Sequence, residues 1–259
     1  AVPQALARRI EAAHAAGDPF ALKVWTGAST GPELDGALAR AKGIEFRAPY
    51  NSDPLVREQI NRGELDYCDI HLSEVAPMTL QGFFGPLDTA LVEVTAIRAD
   101  GALVPSSSVG NNQTWLDQAR QVIVEVNRWQ ARELEGMHDI WCCDALPPHR
   151  QPIPLVRADD RIGATTFRCD PAKIVAVLET DAPDRNQAFR KPDEISHTIA
   201  GHILDFLGHE VRQGRLPASL LPLQSGVGNI ANAVLGGLID APFEGMTAFT
   251  EVIQEIGEH

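Results

Sequence analysis

Glu251 has the sequence context that points most directly to chemistry. It lies in the β-branched segment TEVIQ at 250–254, downstream of a glycine-rich turn at 224–229. A glutamate at the end of a strand is usually a solvated charge or an ion-pair partner. It acts instead as a nucleophile on an activated acyl group when backbone N–H groups stabilise the oxyanion that forms. The turn offers such donors, because its glycines allow close backbone approach and a helix follows it.

The composition limits the classes of partner. The chain has 259 residues, with 35 acidic against 22 basic side chains. An acidic protein without a basic run is a poor match for nucleic acid or an anionic membrane surface. No apolar stretch of the sequence is long enough to cross a membrane. The four cysteines lack metal-ligand spacing, so we expect no bound metal and a reducing, cytoplasmic location.

The hydrophobic pattern predicts an α/β protein with an open, mainly parallel sheet and helices on both faces. The stretch at 136–170 is rich in Pro, Asp and Gly and predicts a long irregular connection. Asp100 and Gly101 indicate a tight hairpin turn. The predicted helices are 3–16, 33–42, 52–62, 192–214 and 230–238, and the predicted strands are 21–26, 67–72, 89–98, 121–127, 173–180, 220–224 and 247–253.

A polar, turn-prone segment at 181–186 predicts a domain boundary. We expect a first α/β domain at 1–183 and the start of a second, similar domain at 184–259. The two ends of the chain resemble each other, because each has a helix that leads into a strand. The first copy lacks the strand and glycine loop that precede the helix in the second. This pattern predicts a weak internal repeat, and chance similarity between two βαβ units is the alternative.

Six collinear motifs lie along the chain. They are QSGVGNIANAV at 224–234, TEVIQ at 250–254, TGASTGP at 26–32, PSSSVGN at 105–111, VIVEVN at 122–127 and HDIW at 138–141. Together these motifs resemble the acetyl-CoA hydrolase/transferase family, and within it the succinyl-CoA:acetate CoA-transferases. The resemblance covers nearly the whole chain and implies the α/β fold that the CoA-transferases share with the NagB and RpiA proteins.

The resemblance implies a role for each residue near the glycine turn. Glu251 matches the catalytic glutamate, which forms an acyl-glutamyl anhydride and then a glutamyl-CoA thioester. Val227 matches the position whose backbone N–H belongs to the oxyanion hole. Gly226, Gly228 and Asn229 match the loop that shapes this hole.

Arg185 matches an arginine near the active site that anchors CoA or a carboxylate, and a salt bridge in the linker explains it equally well. The implied reaction is CoA transfer between acetyl-CoA or succinyl-CoA and a short-chain carboxylate, with CoA as substrate and no cofactor. Acetyl-CoA hydrolysis by the same glutamate and a noncatalytic CoA-binding fragment are the alternatives. A sugar-phosphate isomerase or deaminase on a related fold would need an acid/base pair, and no lysine or histidine lies at 225–254.

The chain departs from the family in length. Family members are about twice as long and have two similar α/β domains with the site between them. This sequence resembles the part that begins after the first glycine loop and ends just past the catalytic glutamate. The resemblance therefore implies that a remaining C-terminal half supplies further CoA contacts and a second oxyanion donor. We expect chain 1–259 alone to be weakly active or inactive, and the family suggests a homodimer.

Overall fold

The chain forms two compact units. The first contains residues 1–153 and 162–185, and the second contains 154–161 and 186–259. The computed structural model describes residues 2–28, 31–142, 147–157, 160–184, 192–226, 228–248 and 250. No helix within these ranges is both long enough and apolar enough to span a bilayer.

Helices and strands alternate along the first unit, and the α/β class is confirmed. Its elements are α1 (Val2–Ala15), β1 (Leu22–Trp25), a π-helical turn (Pro32–Gly36), α2 (Ala37–Arg40), β2 (Ile44–Ala48), α3 (Pro54–Asn61), β3 (Asp66–Tyr67), α4 (Leu72–Leu80), β4 (Thr89–Ile97), β5 (Leu103–Pro105), α5 (Asn112–Gln118), β6 (Gln121–Asn127), two 3-10 turns (Arg132–Leu134 and Pro171–Lys173) and β7 (Ile174–Thr180). The second unit contains α6 (Glu194–Arg212) and α7 (Asn229–Ile239).

The parallel pairing of the first unit is divided between two sheets. One sheet has the order β1-β2-β3, and all its strands are parallel. The other has the order β5-β4-β6-β7, in which β4, β6 and β7 are parallel and β5 is an antiparallel edge strand. The hairpin between β4 and β5 turns at Gly101, where Arg98 N–H donates to the Ala102 carbonyl at 2.9 Å. The carboxyl ends of β4, β6 and β7 therefore lie at one edge of this sheet.

Each sheet of the first unit has its own core. Strands β4 and β6 turn their valines, such as Val92 and Val124, onto one face, where they pack with Trp115 of α5 and with Phe167. The opposite face carries the glutamates of the same two strands, since side chains alternate along a strand. Helices α1, α2 and α3 and strand β2 form the other core, which includes Ile10. Polar groups of β4 and β6 thus lie together on the second face of this sheet.

Capping residues explain where two helices begin. The Asp53 carboxylate accepts hydrogen bonds from Leu55 N–H at 3.0 Å and Val56 N–H at 3.1 Å, at the start of α3. Asp193 does the same for Ser196 N–H at 2.7 Å, at the start of α6. These contacts satisfy N–H groups that have no partner inside the helix.

Several elements differ from the predicted ones. Strand β2 was not predicted, because the fully buried charge of Arg47 disguises its apolar pattern. Helix α4 was not predicted either, and Pro77 inside it argues locally against a helix. The predicted strands at 220–224 and 247–253 are represented by a parallel bridge between Leu223 and Ala248. Residues 251–253 lie outside the described ranges.

Replacement of Phe167 tests the larger core. Phe167 is fully buried, so we expect Phe167→Ala to lower the free energy of unfolding by about 3–5 kcal/mol through lost contacts and a cavity. Urea unfolding followed by tryptophan fluorescence measures this change. The matched control is Phe83→Ala, because Phe83 is 70% exposed and should cost less than about 1 kcal/mol. Equal losses in the two variants would contradict the assignment of the core.

Candidate active site

Glu93 is the centre of a polar network on the second face of the larger sheet. Its carboxylate accepts hydrogen bonds from Asn127 Nδ2 at 3.1 Å and from Gln130 Nε2 at 3.4 Å. It also forms a hydrogen bond with the side chain of Ser106. Asn127, Gln130 and Ser106 are all buried. Ligands of open α/β sheets bind at the carboxyl ends of parallel strands, and Asn127 is the last residue of β6. The network therefore lies beside the edge where a ligand is expected.

Burial raises the pKa of Glu93 above its ordinary value of 4.5, and the neighbouring carboxylates of Asp184 and Glu125 raise it further. The hydrogen bonds from Asn127 and Ser106 oppose this shift but do not cancel it. A carboxyl group with a raised pKa keeps its proton to a higher pH than an exposed one.

The serine-rich loop after β5 connects this network to the smaller sheet. The turn at Thr26–Ala28 follows β1, and a Cβ added to Gly27 would lie 3.2 Å from the backbone nitrogen of Asn111. Only glycine allows this close approach without displacing the neighbouring backbone. Two motifs singled out in the sequence, at 26–32 and at 105–111, thus meet in the first unit, where Ser29 and Thr30 lie outside the described residues.

A buried ion pair holds the loop after β1 at both ends. Arg47 and Asp35 have no exposed side-chain surface, and Arg47 Nε lies 2.9 Å from Asp35 Oδ1. Arg47 Nη2 also donates to Thr26 Oγ1 at 3.0 Å, and Nη1 donates to the Ala48 carbonyl. Because Thr26 opens the loop and Asp35 lies in the π-helical turn that closes it, one guanidinium determines the positions of both ends.

In the second unit, the segment that precedes the glycine turn pairs with the segment that precedes Glu251 in the sequence. Leu223 and Ala248 form a parallel bridge, and Leu223 N–H donates to the Thr247 carbonyl at 2.9 Å. Further along, Ser225 N–H donates to Thr250 Oγ1 at 3.4 Å, and this hydroxyl donates to the Ser225 carbonyl at 3.2 Å. Ser225 and Thr250 thus lie beside each other, each two residues beyond the bridged residue of its own segment.

The glycine turn has one position that needs glycine for its backbone. Gly228 has a φ of +140°, in a region that other residues rarely adopt, and it precedes the first residue of α7, Asn229. A Cβ added to Gly226 would meet no atom within 4 Å, and its φ lies outside that region. One turn into α7, the side chain of Asn232 is 8% exposed, and its Oδ1 has no hydrogen-bond donor among the described residues.

The predicted site residues are thus described only in part. Gly226, Gly228 and Asn229 lie together in the turn, whereas Glu251, Val227 and Arg185 lie outside the described residues. Within the described ranges, no group of three His, Cys, Asp or Glu side chains is arranged to hold a metal ion.

Sequence reasoning missed Glu93, Gln130 and Arg47. Glu93 interrupts the apolar residues of β4, and this position was a signal for a polar contact on the second face of the strand. Nothing in the sequence around Gln130 indicates its contacts, because its partner Asp184 is remote in the chain.

The fold defines the class as an α/β protein, in which the loops at the carboxyl ends of parallel strands are the usual place for ligands. Residues 1–179 match the family model described as the acetyl-CoA hydrolase/transferase N-terminal domain, and the chain belongs to this family. The expected family resemblance is confirmed.

The relatives include transferases and hydrolases. The chain is 41% identical over 254 residues to the succinyl-CoA:acetate CoA-transferase of Clostridium kluyveri, and this match covers 98% of this chain and 46% of that protein. It is 40% identical to the propanoyl-CoA:succinate CoA transferase of Escherichia coli, over 100% of this chain and 53% of that protein. It is 41% identical to an acetyl-CoA hydrolase of Schizosaccharomyces pombe, over 98% of this chain and 49% of that protein. The chain thus spans about half the length of the curated relatives it matches.

A solved structure supports the fold. RipA from Yersinia pestis superposes with a TM-score of 0.63 at 19% identity, over 98% of this chain and 50% of that chain. At this identity the likeness concerns the fold alone.

The charge of Glu93 gives a pH-dependent prediction. A carboxyl group with a raised pKa in the folded state stabilises the fold below its unfolded pKa, and this stability is lost as the pH rises through the folded pKa. We therefore expect Glu93→Gln to gain free energy of unfolding relative to the natural chain as the pH increases from about 5 to about 8. Urea unfolding at each pH measures the difference. Glu133→Gln is the control at an exposed glutamate of the same unit, and parallel curves for Glu93→Gln and the natural chain would contradict the prediction.

The two glycines of the turn give a second prediction. Gly228→Ala should cost about 1–3 kcal/mol, because its backbone conformation is nearly restricted to glycine. Gly226→Ala has open space around the new methyl group and should be nearly neutral. Hydrogen exchange of the α7 amides measures the loss of local stability. Equal protection in both variants would contradict a special role for Gly228.

Proposed function

We propose that the chain carries the acyl-accepting part of an acyl-CoA:carboxylate CoA-transferase, with Glu251 as nucleophile. The observation that supports this most is the pairing of Ser225 with Thr250. It holds Thr250, the residue before Glu251 in the sequence, beside the approach to the glycine turn, so we expect the nucleophile and a set of backbone donors to lie close together. The names of the curated relatives agree with this reaction, since they include CoA-transferases for succinyl-CoA and propanoyl-CoA.

The proposed reaction has two half-reactions at one carboxylate. The Glu251 carboxylate attacks the thioester carbonyl, the carbonyl electrons form an oxyanion, and collapse expels CoA thiolate to leave an acyl-glutamyl anhydride. The thiolate then attacks the glutamyl carbonyl and expels the acyl group as a free carboxylate, so Glu251 carries CoA as a thioester. An acceptor carboxylate attacks this thioester, and the same steps in reverse release the new acyl-CoA.

Stabilisation of the oxyanion is assigned to the glycine turn. The Val227 N–H is the proposed donor, and Gly226, Gly228 and Asn229 determine the shape of the turn that presents it. The position of Gly228 as the N-cap of α7 supports this assignment, because backbone N–H groups at the start of a helix point toward an anionic ligand. Removal of one such donor from related sites costs about 3–4 kcal/mol of transition-state stabilisation.

The remaining assignments complete the proposal. Arg185 is the proposed anchor for CoA or for the acceptor carboxylate, and CoA is a substrate, so no cofactor is required. We propose domains at 1–183 and 184–259, and we propose that the half of the relatives not matched by this chain supplies further CoA contacts. A homodimer remains an expectation from the family. Cys68 and Cys169 are free thiols in the described part of the chain, and they support a reducing compartment such as the cytoplasm.

Acetyl-CoA hydrolysis by the same glutamate is the second candidate. Several curated relatives, including that of S. pombe, are named acetyl-CoA hydrolases. The chemistry differs only in the last acceptor, because water in place of the acceptor carboxylate would hydrolyse the glutamyl-CoA thioester, release CoA and restore the Glu251 carboxylate. The ratio of acyl transfer to free CoA release, measured with acetate as acceptor, distinguishes the two activities.

Trapping of the intermediate tests the nucleophile. We expect acyl-CoA followed by hydroxylamine or borohydride to modify Glu251, and Glu251→Gln to abolish both the modification and CoA exchange. Peptide mass spectrometry locates the modified residue. The assay uses chain 1–259 alone and mixed with the C-terminal half of the C. kluyveri relative, and we expect the chain alone to be weakly active or inactive.

Three results would overturn parts of this proposal. Modification at another residue would exclude Glu251 as the acyl acceptor. Rapid CoA exchange by chain 1–259 alone would exclude the need for a second half. Binding of CoA without any exchange in the mixture would favour a noncatalytic CoA-binding fragment. Glu244→Gln is the matched control, since Glu244 is an exposed glutamate of the same unit.

A further inference from the structure

Asp184 lies between two hydrogen-bond donors that match its two carboxylate oxygens. Ser107 Oγ donates to Oδ2 at 2.8 Å, and Gln130 Nε2 donates to Oδ1 at 2.7 Å. The donors come from the loop after β5 and from the residues after β6, which are remote from Asp184 in the sequence. Each oxygen thus has one donor, in the arrangement with which proteins bind a free carboxylate.

The donors are fixed by other contacts and not by Asp184 alone. Gln130 is 6% exposed, its Oε1 accepts from Ser107 N–H at 3.4 Å, and its Nε2 also donates to Glu93 Oε1 at 3.4 Å. Ser106, the residue before Ser107, is fully buried. These contacts hold the Gln130 amide independently of Asp184.

One side of the pair is open to solution. Ser107 is exposed and Asp184 is half-buried, whereas Gln130 lies buried behind them, so solution has access from the side of Ser107 and Asp184. The main chain before Asp184 is held separately, since Asn127 Nδ2 donates to the Ala182 carbonyl at 2.8 Å. Ser107 and Gln130 therefore contact the carboxylate group of Asp184, and a different side chain, that of Asn127, holds the main chain before it.

We propose that Ser107 and Gln130 form a binding seat for a short-chain carboxylate, which Asp184 occupies in the free chain. A carboxylate from solution enters this seat when the Asp184 side chain moves out or is removed. The seat is separate from the proposed chemistry at Glu251 and is tested by binding alone, so its failure leaves the proposed function untouched.

The neighbouring charge restricts the ligand to a small monoanion. The Glu93 carboxylate shares the Gln130 amide with Asp184 and interacts unfavourably with its charge. A phosphate dianion would increase this repulsion and would present a third charged oxygen without a donor in the described network. Acetate or propionate matches both the donor count and the charge.

Removal of Asp184 followed by rescue with a carboxylate tests the seat. Asp184→Ala should lower the melting temperature, and about 100 mM acetate should restore about 3 °C of it relative to chloride at equal ionic strength. Asp181→Ala is the matched control, because Asp181 is an exposed residue of the same segment and should show no such difference. The double variant Ser107→Ala with Asp184→Ala should lose the rescue.

Two outcomes would overturn the seat. One is a folded Asp184→Ala variant that acetate stabilises no more than it stabilises Asp181→Ala. The other outcome comes from a second experiment, which is used if Asp184→Ala does not fold. It measures hydrogen exchange of the natural chain. Acetate should then increase exchange in the peptide that contains Asp184 more than chloride does, and equal exchange in the two salts would contradict the proposal.

Discussion

The parallel pairing of β4, β6 and β7 determines where the polar groups of the first unit collect. Parallel strands bring all their carboxyl ends to one edge, and the loops after them must then share the same space. Side-chain alternation sends the valines of β4 and β6 to the core and their glutamates to the opposite face. Glu93 is therefore half-buried beside the residues that follow β6, and the serine loop and the segment at 182–184 reach the same place.

Burial of charge has a cost that ordinary packing avoids. The Arg47–Asp35 pair loses all its hydration, and apolar residues of similar size often stabilise a fold equally well or better. The pair instead fixes the position of the loop after β1, because the Arg47 guanidinium contacts a residue at each end of this loop. The neutral amide of Gln130 also positions neighbouring segments, since it contacts the serine loop and two carboxylates at once. Arg47 lies in β2 and Gln130 lies after β6, and neither belongs to a core cluster.

Local signals in the sequence were sufficient for much of the fold. Helices α1, α3, α6 and α7 and strands β1, β4, β6 and β7 lie where periodicity and caps predict them. Strand β2 and helix α4 are not predictable in this way, because Arg47 and Pro77 contradict the local pattern. Tertiary packing overrides that pattern in the folded chain. The glycine turn was predictable from its residues, whereas the contact between Ser107 and Asp184 joins positions 77 residues apart and has no local signature. Pairings of this kind follow from the strand order, which a single sequence does not specify.

The long irregular segment before β7 protects an edge of the sheet. Strand β5 has only three residues and ends at Pro105, and its outer side would otherwise offer unpaired backbone groups to another chain. Phe167 closes this side, because its N–H and carbonyl exchange hydrogen bonds with Leu103 at 2.8 and 3.0 Å. A residue that fills the core with its ring thus also terminates the sheet with its backbone. Cleavage of the chain within 147–157 would release one end of this cover, and edge-to-edge association is the form of aggregation to which the fold would then be exposed.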